Sequence, residues 1–161
     1  MRGFEKVSNV QWTIDSFDTH VKYEDIKLPA RATRTSAGHD IFSTEDCVLE
    51  PNQEVTMPLG WKVYMQPNEM FLIVPRSGMG FKYYSRLANT IGVIDSDYYN
   101  NKKNEGECWI KLRNEGTKTL HIEKGDGIAQ GIFIEYLLSD GDSLDEGDVR
   151  EGGFGHTDNS G

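Results

Sequence analysis

The sequence has no apolar run long enough to cross a membrane, and its first residues, MRGFEKVSNVQW, lack the continuous apolar core of a signal peptide. We therefore expect a cytoplasmic protein with no membrane partner. Basic residues are also few, since 17 Lys and Arg stand against 26 Asp and Glu, for a net charge of -9. Because this charge repels a phosphate backbone over most of the surface, stable binding to nucleic acid is not expected, and a small anionic substrate needs local cations.

Cysteine is scarce as well. Cys47 and Cys108 lie in strand-like segments without the spacing of a metal site or a disulfide framework, which favours reduced, structural thiols. Internal repeats and amphipathic helices of ordinary length are missing too. These absences exclude disulfide scaffolds, zinc modules and helical bundles.

What the chain has instead is a series of short segments rich in β-branched and aromatic residues, separated by Gly, Pro, Asn and Asp. This pattern predicts an all-β sandwich or barrel, and 161 residues suit one domain. The predicted strands cover 39–43, 54–57, 60–65, 70–74, 91–94, 108–112, 119–122 and 128–136. One helical turn is predicted across 77–84, where two glycines weaken it.

The segment 92–98, GVIDSDY, places two carboxylates and an aromatic ring directly behind a short apolar strand. Val93 and Ile94 suit a buried strand, whereas Asp95 and Asp97 must be paired, hydrated or protonated if they are buried with it. This arrangement is typical of a reactive site. An acidic turn at a strand end is the alternative.

Two glycine-rich segments suit anion binding. In PRSGMG, residues 75–80, Arg76 offers a planar fork of donors for phosphate oxygens beside glycines that let backbone N–H groups approach. In GGFGHT, residues 152–157, successive amides can form an anion-binding nest and Phe154 can cap a flat ring. The alternatives are a structural arginine at a strand end and a disordered terminus.

Two further segments carry weaker signals. In AGHDI, residues 37–41, Asp40 is placed to hold Mg²⁺ through water, since this ion keeps several waters and accompanies nucleotide phosphates; an Asp that caps the preceding turn is the alternative. In GDGIAQ, residues 125–130, the amide of Gln130 could donate to an oxyanion, although a Gln in a strand is more often a ladder or surface residue.

Taken in order, AGHDI, PRSGMG, GVIDSDY, RNEGTKTLHIEKGDGIAQ and GGFGHT resemble the five ordered motifs of the homotrimeric dUTPase family. The resemblance extends from about Lys27, in KLPARAT, to Thr157. It implies a Mg²⁺-dependent enzyme that hydrolyses dUTP to dUMP and pyrophosphate, which limits uracil incorporation into DNA and supplies dUMP for dTMP synthesis. It also implies a distorted jelly-roll-like β-barrel that forms a trimer with shared active sites.

The same resemblance divides the chain and assigns its site. Residues 1–161 form a single dUTPase domain, with an N-terminal segment at 1–26, a linker at 139–151 and a flexible phosphate-binding tail at 152–161. The tail reaches a neighbouring subunit. Asp95 is implied as the general base and as a ligand of the deoxyribose 3′-hydroxyl, and Tyr98 as the side chain that excludes a ribose 2′-hydroxyl. The deoxyuridine pocket is lined by Asn89, Val93, Ile94 and Trp109.

The phosphate side is assigned in the same way. The residues implied to bind the phosphate chain are Arg76, Ser77, Gly78 and Gln130. Asp40 holds Mg²⁺ through its waters. In the tail, Phe154 stacks on the uracil, while Gly155, His156 and Thr157 close over the terminal phosphate.

The chain departs from the family pattern at several positions. Gly127 stands where the family commonly has Arg, and His39 replaces the usual aromatic residue of the first motif. Val149 occupies the place of a tail arginine, with Arg150 following it. The segment 99–106, which contains NNKKNEG, is longer than the usual turn and could be a lid, a trimer contact or the surface for a regulatory protein partner.

Two alternatives remain open on the sequence. A dCTP deaminase has a similar fold but typically uses a catalytic Glu and an RSS-type motif, whereas this chain has Asp95 and follows Ser77 with Gly78. Ammonia release from dCTP separates the two enzymes. The other alternative is a dUTPase with an added regulatory role, which a pull-down with and without a nonhydrolysable dUTP analogue would test.

Overall fold

The computed structural model describes residues 1–16 and 21–143 of the chain. Its elements are, in order, β1 (Gly3–Lys6), α1 (Asn9–Asp15), a 3₁₀ turn (Tyr23–Asp25), β2 (His39–Phe42), β3 (Cys47–Leu49), β4 (Glu54–Pro58), β5 (Trp61–Tyr64), β6 (Glu69–Pro75), α2 (Ser77–Tyr83), β7 (Ser85–Leu87), β8 (Gly92–Asp95), a second 3₁₀ turn (Ser96–Tyr98), β9 (Trp109–Asn114), β10 (Leu120–Ile122) and β11 (Gly127–Glu135). Strands dominate, so the predicted all-β class is confirmed.

The strands form antiparallel sheets around one apolar core. The four-stranded sheet has the order β2-β11-β6-β8 and the three-stranded sheet the order β4-β9-β7, while β1 pairs with β5 and β3 pairs with β10. Alternation along β6 buries Phe71 and Ile73 and leaves Leu72 and Val74 only partly covered. The core also includes Trp61 of β5.

The N-terminal residues belong to this core. Phe4 of β1 pairs with Val63 of β5, and its ring packs against those of His39, Phe71 and Phe133. The place of His39 in an aromatic cluster accounts for its standing where the family has an aromatic residue. In α1, Trp12 is 2% exposed, so this short helix packs onto the body of the protein.

The eight predicted strands are all present, with small shifts at their ends, and the predicted helical turn is α2. The elements β1, β3, β7 and α1 were not predicted from the sequence. No helix in the described part of the chain combines the length and apolar character that crossing a membrane requires. Cys47 and Cys108 are both free thiols, and Cys108 is buried.

Candidate active site

A cavity of about 440 Å³ lies between β8, the turn that follows it, the loop after β7, and β9. It is lined by Thr56, Ile73, Leu87, Ala88, Asn89, Gly92, Val93, Ile94, Asp95, Tyr98, Glu107, Cys108, Trp109, Ile110 and Lys111. The six residues predicted to surround a deoxyuridine are all among them. The volume falls within the range of small-molecule sites.

Asp95 is the last residue of β8 and stands opposite Met70 of β6. The chain then turns through Ser96–Tyr98, which ends the strand and leaves the partly buried Asp95 carboxylate in the cavity wall. A carboxylate in this position can accept hydrogen bonds from a water and from a sugar hydroxyl.

Tyr98 is 5% exposed and contributes to the same wall. Its hydroxyl donates to the Glu107 carbonyl at 2.9 Å and accepts a hydrogen bond from Asn104 Nδ2 at 2.8 Å. The backbone around it is tight, because Gly106 has φ +83° and a Cβ there would lie 2.5 Å from the Tyr98 carbonyl oxygen. The ring is therefore fixed before any ligand binds.

Glu107 is a cavity residue that was not predicted from the sequence. Its side chain is fully buried, and its Oε1 accepts a hydrogen bond from the Gly60 amide at 3.0 Å. Burial, and then the nearby Asp15 carboxylate, raise the pKa of Glu107 to about 9, so it is protonated at neutral pH. No periodic pattern marks this residue, because it lies in the turn before β9 rather than on a strand face.

The predicted phosphate-binding residues form a second group at the far end of the four-stranded sheet. Arg76 Nε lies 3.2 Å from Asp40 Oδ1, and Arg76 Nη1 donates to the Gly127 carbonyl at 3.0 Å. Gln130 stands opposite Asp40 on one side and Val74 on the other, and its Nε2 donates to the Pro75 carbonyl at 3.2 Å. The structure thus brings Asp40, Arg76 and Gln130 together.

The residue at position 127 determines whether the Arg76 side chain can lie beside Asp40. A Cβ at this position would overlap Arg76 Nη1, so the absence of a side chain makes room for the guanidinium. The next two predicted residues, Ser77 and Gly78, begin α2 and are exposed. A Cβ on Gly78 would meet nothing within 4 Å, which leaves this turn open to a ligand.

The two groups lie far apart within one chain. Asp95 pairs with Met70, and Arg76 lies six residues further along the same strand direction (76 minus 70). At about 3.3 Å per residue this is a separation of about 20 Å along the sheet. A single chain therefore does not place Asp95, the predicted base, beside Arg76, the arginine predicted to bind phosphate.

The donor set around Asp40 bears on the predicted metal. Among residues 1–16 and 21–143 there is no group of three or more His, Cys, Asp or Glu side chains placed to hold an ion. The Asp40 side chain is 17% exposed and is paired with Arg76. Mg²⁺ fits such a site only through waters and in company with substrate phosphates, which is its usual mode with nucleotides.

The remaining predicted residues lie outside the described ranges. They are Phe154, Gly155, His156 and Thr157 of the tail, together with Val149 and Arg150. The described start of the linker, 139–143, contains neither helix nor strand.

Comparison with known sequences gives extensive matches. The dUTPase family model matches residues 24–158. The deoxyuridine 5′-triphosphate nucleotidohydrolase of Lactococcus lactis subsp. lactis (strain IL1403) is 40% identical over 146 residues, which cover 89% of this chain and 97% of the relative. The protein of the same name from Pseudomonas fluorescens (strain SBW25) is 37% identical over 139 residues, which cover 83% and 88%.

Solved structures agree with the sequences. The crystal structure of dUTPase from Streptococcus mutans matches with a TM-score of 0.69 at 35% identity and covers 86% of this chain and 99% of that one. The dUTPase from phage phi11 of S. aureus, described with a coordinated structural Mg(II) ion, matches with a TM-score of 0.64 at 20% identity over 92% and 99%. At that identity the second likeness concerns the fold alone. The predicted jelly-roll-like β fold is confirmed.

Proposed function

The chain belongs to the dUTPase family, and we propose from this premise how its own residues hydrolyse dUTP to dUMP and pyrophosphate. The observation that supports the assignment of residues is the cavity, whose lining includes Asn89, Val93, Ile94, Asp95, Tyr98 and Trp109. A nucleoside fits its volume, and a carboxylate stands at its edge.

The backbone of β8 recognises the uracil ring of the substrate. This strand is the last in the order β2-β11-β6-β8, so one of its sides has no neighbouring strand in the described part of the chain. Peptide N–H and C=O groups on that side can pair with uracil O4 and N3. Cytosine exchanges acceptor for donor at the 4-position and leaves a buried group unpaired, which costs about 1–3 kcal/mol.

Asp95 orients and deprotonates the attacking water while it accepts a hydrogen bond from the 3′-hydroxyl. The water oxygen bonds to the α-phosphorus, the bond from that phosphorus to the bridging oxygen breaks, and pyrophosphate leaves. Tyr98 packs beside the sugar, where its fixed ring has no room for a 2′-hydroxyl.

Arg76, Ser77, Gly78 and Gln130 bind the phosphates. Arg76 is already aimed by Asp40 and the Gly127 carbonyl, so little side-chain entropy is lost when it meets the phosphate oxygens. Asp40 would contact Mg²⁺ through water, and the bound ion would neutralise phosphate charge. The tail residues 154–157 would close over the nucleotide.

A homotrimer with shared sites accounts for the separation within the chain. Because Asp95 and Arg76 lie about 20 Å apart along the sheet, a neighbouring subunit must supply the second group. Exposed apolar side chains support subunit contacts: Phe81 is 88% exposed, Tyr84 66% and Val93 50%. A single copy leaves these surfaces in water.

The base assignment is tested by Asp95→Asn, with Asp97→Asn as the matched control two residues away. We expect Asp95→Asn to bind dUTP and to lose turnover by about 10²–10⁴-fold, because a positioned base is missing. Pyrophosphate release and equilibrium binding of a nonhydrolysable dUTP analogue measure the two effects. Near-normal turnover in Asp95→Asn would refute the assignment.

Substrate choice is tested separately, with dUTP, dCTP, dTTP and UTP in the presence and absence of Mg²⁺. Release of ammonia from dCTP would instead support the deaminase alternative. We propose that the enzyme acts in the cytoplasm.

A regulatory partner at residues 99–106 stays a separate proposal. Within this segment Lys102 and Lys103 are exposed and offer two positive charges on an acidic protein, so a partner of opposite charge fits the surface. A pull-down with and without the dUTP analogue, repeated with both lysines changed to Glu, tests it. Equal capture of a partner by the wild-type protein and by the double lysine variant would contradict a role of Lys102 and Lys103 in binding.

A further inference from the structure

The inserted segment 99–106 folds inward around Tyr98. Asn101 is 7% exposed, and its Nδ2 donates to the Tyr98 carbonyl at 2.9 Å. Asn104 Nδ2 donates to the Tyr98 hydroxyl at 2.8 Å and lies 3.3 Å from the Glu107 carbonyl, which accepts the hydroxyl proton. The insertion therefore holds both the backbone and the side chain of the residue that forms the cavity wall.

Asn104 is itself held in place by the insertion. Its Oδ1 accepts hydrogen bonds from Asn101 Nδ2 at 2.8 Å and from the Gly106 amide at 3.2 Å. Its backbone N–H donates to Asn101 Oδ1 at 3.2 Å, and its carbonyl accepts from the Glu107 amide at 2.9 Å. The orientation of the amide group follows from these contacts, since Oδ1 faces donors and Nδ2 faces acceptors.

The insertion is anchored on the N-terminal segment. Glu105 accepts hydrogen bonds from the Ser8 amide at 2.9 Å and the Ser8 hydroxyl at 2.6 Å, and it lies 3.5 Å from Lys62 Nζ. Ser8 is also the N-cap of α1, where its Oγ accepts from Gln11 N at 3.1 Å. This connection fixes the insertion relative to β5 and α1 and so limits its movement toward or away from the cavity.

From these contacts we propose that Asn104 is a positioning residue that holds the Tyr98 ring against the sugar and thereby sets the discrimination between dUTP and UTP. The inference rests on the proposed role of Tyr98 as the residue that excludes a 2′-hydroxyl. Steric exclusion of a single oxygen requires a ring that does not yield. Asn104 restrains the hydroxyl end of the ring with a second hydrogen bond, in addition to the one that the hydroxyl donates to the Glu107 carbonyl.

Asn104→Ala removes the amide and leaves the Glu107 carbonyl as acceptor for the hydroxyl. The ring gains freedom to move when UTP enters, so kcat/KM for UTP rises relative to that for dUTP. We expect kcat/KM for dUTP divided by kcat/KM for UTP to fall about three- to tenfold, the effect of losing roughly one hydrogen bond. Lys102→Ala, at an exposed position of the same insertion, should leave the ratio unchanged.

The coupling between the two side chains is measured by a double-mutant cycle with Tyr98→Phe, which keeps the ring and deletes the hydroxyl. In the Tyr98→Phe background, Asn104→Ala should change the ratio no further. Thermal unfolding of each variant is recorded at one protein concentration. A merely structural Asn104 would lower stability and reduce activity toward both nucleotides equally, with no change in their ratio, and that result would overturn the proposal.

A third variant separates this inference from the role of Tyr98 itself. Tyr98→Leu removes the ring and should abolish most of the discrimination in a folded protein. An unchanged ratio in Tyr98→Leu would refute Tyr98 as the sugar gate. A lowered ratio in Tyr98→Leu, with a wild-type ratio in Asn104→Ala, would refute the positioning role of Asn104 alone.

Discussion

Glu107 has an environment very different from that of a free side chain in water. It is fully buried beside the cavity, with Oε1 bound by the Gly60 amide and with the Asp15 carboxylate close enough to interact with it. Its pKa is about 9 in the folded chain, whereas an unfolded Glu titrates near its ordinary value of 4.5. Between those two values the folded state holds a proton that the unfolded state has lost.

This difference predicts how stability depends on pH. Since the folded state binds more protons, the contribution of Glu107 to the free energy of unfolding is fully present below about pH 4.5 and is lost as pH rises toward about 9, by at most about 1.4 kcal/mol per pH unit. Glu107→Gln should remove this slope. Urea unfolding across that range, at fixed protein concentration, measures it, with exposed Glu123→Gln as control. Parallel curves for wild type and Glu107→Gln would show that the folded carboxyl is ionised.

Gly127 is a second residue whose substitution has a specific expected effect, here on substrate binding. Any side chain there must displace the Arg76 guanidinium, which is the flexible end of a long side chain, so the fold should tolerate Gly127→Ala. Substrate binding should weaken, because Arg76 loses its position beside Asp40. We expect KM for dUTP to rise about tenfold, the value of one charge-assisted contact.

The control for this prediction is Gly80→Ala, in α2, where a Cβ would meet nothing within 4 Å. Steady-state kinetics and thermal unfolding of both variants separate substrate binding from folding. An unchanged KM in Gly127→Ala would show that the present position of Arg76 is not the one that binds phosphate.

At the scale of elements, strands with clear alternation or strong apolar character were predictable, as β6 and β11 show. The missed elements are short and depend on distant partners. α1 contains three β-branched residues in seven, Val10, Thr13 and Ile14, and exists because Ser8 caps it and Trp12 packs into the core. Likewise, the motif GVIDSDY predicts Val93, Ile94, Asp95 and Tyr98 as pocket residues, and Asn89 and Trp109 are implied by the family resemblance. Asn104 and Glu107, in contrast, acquire roles only when the hairpin tip folds back onto Tyr98.

The tail is the element whose prediction depends on sequence alone, since residues 152–161 lie outside the described ranges. Deleting them should leave a folded protein with the cavity intact and with much reduced kcat/KM, because the nucleotide would lose the ring of Phe154 and the backbone donors of its glycines. Thermal unfolding and pyrophosphate release test both parts. Phe154→Ala removes only the aromatic ring and so tests the contribution of that ring by itself. Full activity after the deletion would show that the cavity and the Arg76 group suffice.

For the whole molecule, the decisive question is whether the two groups of residues act across a subunit boundary. If Asp95 of one subunit works with Arg76 of its neighbour, two inactive variants should restore each other. In trimers assembled at random from equal amounts of Asp95→Asn and Arg76→Gln subunits, each site has the intact pair with a probability of about one quarter. Purification of co-expressed trimers through both tags removes the two homotrimers. Each remaining mixed trimer has the intact pair at one of its sites, so these trimers should recover about one third of wild-type turnover.

Each variant alone provides the baseline, and the mass of the mixed assembly must be that of three chains. Mixed trimers that show no activity beyond the two baselines would place Asp95 and Arg76 in the same subunit's site. That outcome would require α2 and the end of β6 to bend toward β8 by most of the roughly 20 Å that separates them along the sheet. A movement of this size would break the pairing of β6 with β8 and with β11, so the contribution of a neighbouring subunit is the arrangement compatible with the fold.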